Sequence, residues 1–164
     1  MVLELRGKYY YGSCPRDVWA HCILRNRKVG MTPVTHWKTA VCEGRSKRSR
    51  RRCGHKVFRV VLSEEDGAFA QRTCVKCGDA REILKDDSPL PEGYDDDLEL
   101  EDCICVCKGR EFEVVGVTAP RDRRQPDTAD WFYLGLRCVC CGCIGIYAYW
   151  QERYNDYKAL LAKL

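Results

Sequence analysis

The chain has 164 residues, thirteen of them cysteine, and a formal net charge of +4. A cysteine content this high marks a short chain that depends on covalent or metal staples more than on a large apolar interior. No stretch approaches the roughly 20 apolar residues of a membrane span. The opening Met1-Val2-Leu3-Glu4-Leu5-Arg6-Gly7-Lys8 carries charges where an export signal needs its apolar core. The expected setting is therefore a reducing cytoplasm, where clustered cysteines ligate metal instead of pairing.

The charge is unevenly spread. Residues 1–85 hold nineteen Lys and Arg against eight Asp and Glu, whereas residues 86–102 hold nine acids and no base. The front of the chain is thus suited to a polyanion.

In chain order, Val2-Leu3-Glu4-Leu5 begins a short strand. Ser13 is placed as the N-cap of a helix from about Pro15 to Arg27, with Val18, Trp19, Cys22 and Ile23 at helical spacing and an end near Gly30. Arg25, Arg27 and Lys28 suit its last turn by complementing the helix dipole. Thr35 to Val41 reads as a strand. Arg45-Ser46-Lys47-Arg48-Ser49-Arg50-Arg51-Arg52 follows, a run too charged to be buried and expected as a solvated loop.

From Cys53 to about Leu84 the pattern is a small antiparallel unit. Phe58, Val60 and Leu62 share one strand face, Glu64-Glu65-Asp66-Gly67 makes the turn, and a second strand leads to Cys74. So small a unit needs help to fold, and a bound metal supplies it. Residues 86–102, acidic and interrupted by Pro89, Pro91 and Gly93, read as an extended linker. A second unit then repeats the first: Phe112-Glu113-Val114-Val115-Gly116 answers Phe58-Arg59-Val60-Val61-Leu62, and Gly135-Leu136-Arg137 stands where Gln71-Arg72-Thr73 does. Ile144, Ile146, Ala148 and Trp150 are expected on one strand face. Gln151 to Leu164 is expected as a helix with an apolar stripe of Tyr154, Tyr157, Leu160, Leu161 and Leu164.

Each unit carries a pair of soft or borderline ligands at both ends, as a tetrahedral metal site requires. In the second unit these are Cys105, Cys107, Cys138 and Cys141. In the first they are Cys53, Cys74 and Cys77 with His55, placed by register with Cys107; Cys42, across the basic run, is the alternative fourth ligand. Cys103 can replace one second-unit ligand by a register slip, as Cys140 or Cys143 can replace Cys141, although Gly142 favours Cys141 because glycine lets the knuckle turn. Cys14, His21, Cys22, His36 and Cys42 fit no knuckle spacing.

At these knuckles the chain resembles the zinc-ribbon class of β-hairpin metal modules, in two copies over roughly Cys53 to Trp150, with first knuckles of CxC and CxH type in place of CxxC. The resemblance implies two structural Zn2+ ions and use in nucleic-acid or protein binding. The expected fold class is a small metal-stabilised α+β chain. It comprises an N-terminal helical and basic segment (1–50), one ribbon-like unit (51–85), an acidic linker (86–102) and a second unit with a C-terminal amphipathic helix (103–164).

The expected function is nucleic-acid binding, DNA or RNA, with Arg45, Lys47, Arg48, Arg50, Arg51 and Arg52 on phosphates and Tyr9, Tyr10, Tyr11 or Trp37 able to stack on bases. The alternative is a protein-interaction adaptor that uses Trp131-Phe132-Tyr133, Tyr147, Tyr149-Trp150 and the terminal helix. No enzyme activity or small-molecule substrate is expected: sites filled by thiolates leave a metal no open position, and no nucleophile motif, phosphate loop or HExxH occurs.

Overall fold

Short runs of alternating apolar and polar residues, separated by knuckles and turns, make most of this chain antiparallel sheet. The computed structural model describes residues 3–45, 51–63, 70–83 and 100–164, apart from the side chains of residues 152–154. Its strands are β1 (Glu4–Arg6), β2 (Tyr9–Tyr11), β3 (His36–Thr39), β4 (Val57–Ser63), β5 (Ala70–Cys74), β6 (Ala80–Ile83), β7 (Leu100–Asp102), β8 (Phe112–Ala119), β9 (Ala129–Cys138) and β10 (Cys143–Tyr154), with helices α1 (Arg16–Lys28) and α2 (Tyr157–Ala162). All ten strands belong to one sheet in the order β1-β2-β10-β9-β8-β4-β5-β6, with β3 added to β8 and β7 to β4.

The internal repeat is visible in this topology. The two triplets β4-β5-β6 and β8-β9-β10 meet where Phe58 pairs with Phe112 and Val57 with Glu113. Phe58 also faces Cys74, and Phe112 faces Cys138. The preceding strands are exchanged: β3, which leads to Cys42, lies on β8 of the other triplet, while β7, which leads to Cys105, lies on β4. The matching bonds are Ala40 N–H to Val114 O at 2.8 Å and Cys103 N–H to Val60 O at 2.9 Å. The two repeats therefore share one sheet and hold each other by reciprocal strands. The linker expected over 86–102 ends in one of those strands, and its residues 86–99 lie outside the described residues, as do the turn expected at 64–67 and Leu84.

Two apolar clusters cover the two faces of β8-β9-β10. On one face α1 lays Val18 and Cys22 against Val115, Val117, Tyr133 and Ile144. On the other, Val114, Phe132, Leu134, Leu136 and Trp150 join Phe58, Val60, Ala70 and Ile83 from β4, β5 and β6 with Leu160, Leu161 and Leu164 from the C-terminal end. This shared interior replaces the two minute cores expected from the sequence. Fully burying one such side chain is worth about 1.5–3 kcal/mol, so apolar packing contributes substantially to the fold.

Three local expectations change. Helix α1 lies where its pattern places it, but Ser13 does not cap it. Instead the buried Asp17 carboxylate accepts from the Ser13 and Cys14 amides at 2.7 and 3.1 Å. Ile144, Ile146, Ala148 and Trp150 do not share a face: a bulge between Ile146 and Ala148 inserts one residue into β10. This turns Ile144 and Ile146 toward α1 and Ala148 and Trp150 toward the shared interior. The C-terminal helix is shorter than expected because β10 stays paired with β9 as far as Tyr154 opposite Ala129, and the helix starts only where the Asp156 side chain accepts from the Lys158 amide at 2.9 Å.

Close approach of α1 to the sheet requires Gly135, since a Cβ there would run into Val18 Cγ1. We predict that Gly135→Ala lowers stability by about 1–3 kcal/mol through overpacking. Adding Val18→Ala to it should cost less than the two single losses together. Urea unfolding of the four chains measures this, and simple additivity would refute the contact as the cause.

Candidate metal centres

Both metal clusters are built at strand ends. The described residues contain two groups whose ligand atoms all lie within 4.8 Å of one another: Cys42, Cys53, Cys74 and Cys77, and Cys105, Cys107, Cys138 and Cys141. In the first, Cys42 Sγ is 3.4 Å from Cys77 Sγ and Cys53 Sγ is 3.8 Å from Cys74 Sγ. In the second, the corresponding separations, Cys105 to Cys141 and Cys107 to Cys138, are both 3.6 Å. Four thiolates around an ion with metal–sulfur bonds of about 2.3 Å stand about 3.8 Å apart, so the sulfurs fit a tetrahedral ion. They are much too far apart for disulfides, whose sulfurs sit about 2.05 Å apart.

The backbone repeats bond for bond. Cys42 N–H donates to His55 O and Cys105 N–H to Gly109 O, both at 2.8 Å; Gly54 N–H returns to Cys42 O at 3.0 Å and Lys108 N–H to Cys105 O at 2.8 Å. At the second knuckle of each unit, Gly78 N–H bonds Cys74 O and Gly142 N–H bonds Cys138 O, both at 2.9 Å, and both glycines have φ of 75°. That left-handed conformation is where glycine is favoured. Gly54 and Lys108 also occupy it, at φ of 64° and 69°.

This equivalence moves one ligand. Cys53 matches Cys107, each five residues before its unit's phenylalanine, so Cys42 is the counterpart of Cys105 and joins the cluster. His55 contributes its backbone carbonyl to the knuckle, and the cluster does not include its ring. Adjacency of Cys53 and His55 imitated the second unit's CxC because the first knuckle is split: residues 43–52, with the whole of the basic run, stand where the second unit has Val106 alone. Counting back from Phe58 and Phe112 is the signal that finds Cys42. The other seven sulfur positions expected from the sequence fall in the clusters as assigned.

The remaining cysteines stay outside. Burial pushes the Cys22 and Cys103 thiols up to about 12, which suits inert core residues. Cys143 is buried and donates its amide toward Cys141 Sγ at 3.4 Å, and Cys140 is exposed. His36 stacks on Tyr157 with ring centroids 3.4 Å apart, and His21 packs on Tyr10 at 4.7 Å.

Within each cluster the thiols are unequal. The Gly109 amide draws the Cys107 thiol down to about 7, and the Asp79 amide lowers that of Cys77. Burial raises the thiols of Cys42 and Cys105. A cation bound here would meet sulfurs already disposed to be anionic and would displace protons from the buried ones.

Around the first cluster, Arg45 bridges Arg52 and Cys53 N–H bonds Gly44 O at 2.8 Å, so the foot of the basic loop is closed beside Cys42 and Cys53. Arg45, Arg51 and Arg52 are exposed; Lys47, Arg48 and Arg50 lie outside the described residues. Around the second cluster, Gly12 N–H bonds Gly142 O at 3.0 Å and Arg137 bonds Gly12 O at 2.8 Å, which ties the N-terminal hairpin to the knuckle. Of the aromatic surface expected near the C-terminus, Phe132 and Tyr133 are fully buried and Trp150 nearly so; Tyr147 and Tyr149 are exposed. Among the described residues no helix is long and apolar enough to cross a membrane.

No protein-family model, curated protein or solved structure matches the chain.

We predict that the purified protein carries two metal ions per chain, that Cys42→Ser reduces this to about one, and that His55→Ala leaves it at two. Native mass spectrometry reads all three, and loss of an ion in His55→Ala would return the ligand role to that ring. Because metal must displace protons from raised thiols, lower pH opposes binding. Affinity measured against a competing chelator should fall more than about tenfold per pH unit between pH 7 and 6.

Proposed function

We propose that the chain is a non-enzymatic, cytoplasmic nucleic-acid-binding protein, its two zinc-ribbon-like units each closed by a structural Zn2+ ion. One observation carries this reading: the basic run is inserted between Cys42 and Cys53, two ligands of one cluster, so metal binding draws together the two ends of a loop that holds six cations in eight residues. Thiol-only ligation favours zinc over harder cations, and four protein ligands leave the ion no open coordination position for chemistry. Thiols kept free for metal suit a reducing compartment.

Loop closure beside a rigid knuckle concentrates positive charge at one place on the surface, which favours the phosphate backbone of DNA or RNA. Exposed Lys56 and Arg59 follow the loop along the chain. Tyr9 and Trp37, each more than a third exposed, supply aromatic faces on which bases can stack.

Binding to a fluorescent single-stranded DNA or RNA oligonucleotide should weaken steeply with salt, with a log–log slope of about −4 if all six cations of the run contact phosphates. Replacing Arg45, Lys47, Arg48, Arg50, Arg51 and Arg52 by Gln should abolish retention, and Cys42→Ser should weaken it by releasing one foot of the loop. Unchanged retention on both DNA and RNA after the sixfold replacement would overturn the proposal.

A further inference from the structure

The repeat gives the molecule two related clefts, each between the strand that enters a unit's first knuckle and the strand that leaves its second. The cleft between β3 and β6 is lined by Lys38, Val41, Arg72 and Arg81, and the chain fills part of it with its own Ala162, Lys163 and Leu164. Lys38 Nζ donates to Leu161 O at 3.2 Å and Arg72 Nε to Leu164 O at 3.0 Å, while Leu161 and Leu164 are buried. A leucine-bearing segment is thus held by apolar burial and by cations on its carbonyl groups, leaving a cavity of about 230 Å³.

The cleft between β7 and β10 has no such segment among its lining residues and measures about 660 Å³. Its walls include Leu62, Ile104, Tyr147 and Trp150. Ile104 is 45 % exposed and Tyr147 36 %, beside Leu100 at 42 %. The buried Trp150 indole N–H has no acceptor among the described residues. Glu101 occupies the position equivalent to Lys38, with Asp102 next to it, so the charge at that position is reversed; the first cleft mixes Lys38, Arg72 and Arg81 with Glu43 and Glu82, whereas the charged residues lining this one are both acidic. Asp102 pairs with Arg110 at 2.8 Å, whereas Glu101 faces no cation among the described residues. Among the described residues both bordering strands offer backbone: there β7 pairs with β4 alone, and β10 beyond Ile144 with β9 alone.

We propose that this cleft binds a peptide segment of a partner protein in which leucine-like side chains alternate with lysine or arginine. The apolar side chains take the place that Leu161 and Leu164 fill in the related cleft, and the cations meet Glu101. The peptide backbone adds to the free edge of β10. The site is independent of the basic loop and does not rest on the nucleic-acid reading.

The test uses the full chain with its metal and two fluorescein-labelled octapeptides, one alternating leucine with lysine and the other leucine with glutamate, read by anisotropy. The lysine peptide should bind and the glutamate peptide should not. Tyr147→Ala and Glu101→Lys, both at exposed positions, should each weaken binding by about tenfold or more, with circular dichroism and metal content unchanged. Equal binding of the lysine peptide to wild type and Tyr147→Ala would place it on the acidic stretch instead and overturn the proposal, as would no binding. Binding that appears only after residues 86–98 are deleted would assign the cleft to that segment and equally overturn it.

Discussion

The antiparallel pairing of Phe58 with Phe112 is the contact through which everything else is aligned. Each phenylalanine also faces a metal-cluster cysteine across its own hairpin, so Cys74, Phe58, Phe112 and Cys138 form one cross-strand row. At a strand spacing of about 4.8 Å the two cysteine backbones stand roughly 14 Å apart. The row is short. Only two residue pairs join β4 to β8, after which each strand takes the other repeat's leading strand as its neighbour. Neither repeat can therefore complete its sheet alone, because β8 needs β3 and β4 needs β7.

Metal and apolar burial have separate tasks in this arrangement. The cysteines fix the knuckles, where backbone turns sharply and no side chain could fill the space, and the shared interior fixes how the two halves lie on each other. The two tasks are coupled because Cys42, Cys74, Cys105 and Cys138 are themselves buried and form part of that interior. Loss of an ion would leave thiols in apolar surroundings, where burial already holds Cys42 and Cys105 in the protonated form. An emptied cluster then keeps its buried thiols neutral, and what negative charge it has falls on the lowered thiols of Cys77 and Cys107, neither of which is buried.

What the sequence made legible follows from how local each signal is. Paired cysteines two or three positions apart, a helix with apolar residues at i, i+1, i+4 and i+5, and hairpins with period-two alternation are all written within a few residues. Cys42 was harder to place because ten residues of loop separate it from the partner it meets, which no local spacing reports. Strand β7 is an acidic, wholly exposed Leu-Glu-Asp. It pairs through backbone alone, so its side chains carry no trace of the pairing and it reads as linker. The bulge in β10 hides in a regular alternation of Ile, Tyr and Ala that gives no warning of the face change. Strand β2 is Tyr9-Tyr10-Tyr11, which lacks alternation altogether and takes its register from Cys143 and Ile144.

The two halves share a backbone plan and differ in what is added to it. One repeat opens its first knuckle to carry the cationic run; the other keeps its first knuckle closed, ties its second knuckle to the N-terminal hairpin through Gly12 and lengthens its last strand. The C-terminal segment folds back into one of the two clefts and not the other, so the symmetric scaffold presents one filled and one open groove. Replacement of Lys38 by Glu101 at the related position then reverses the charge there. A scaffold repeated in this way can tolerate such divergence because the contacts that specify it, four clustered sulfurs per unit and one phenylalanine pair, involve none of the positions that have changed.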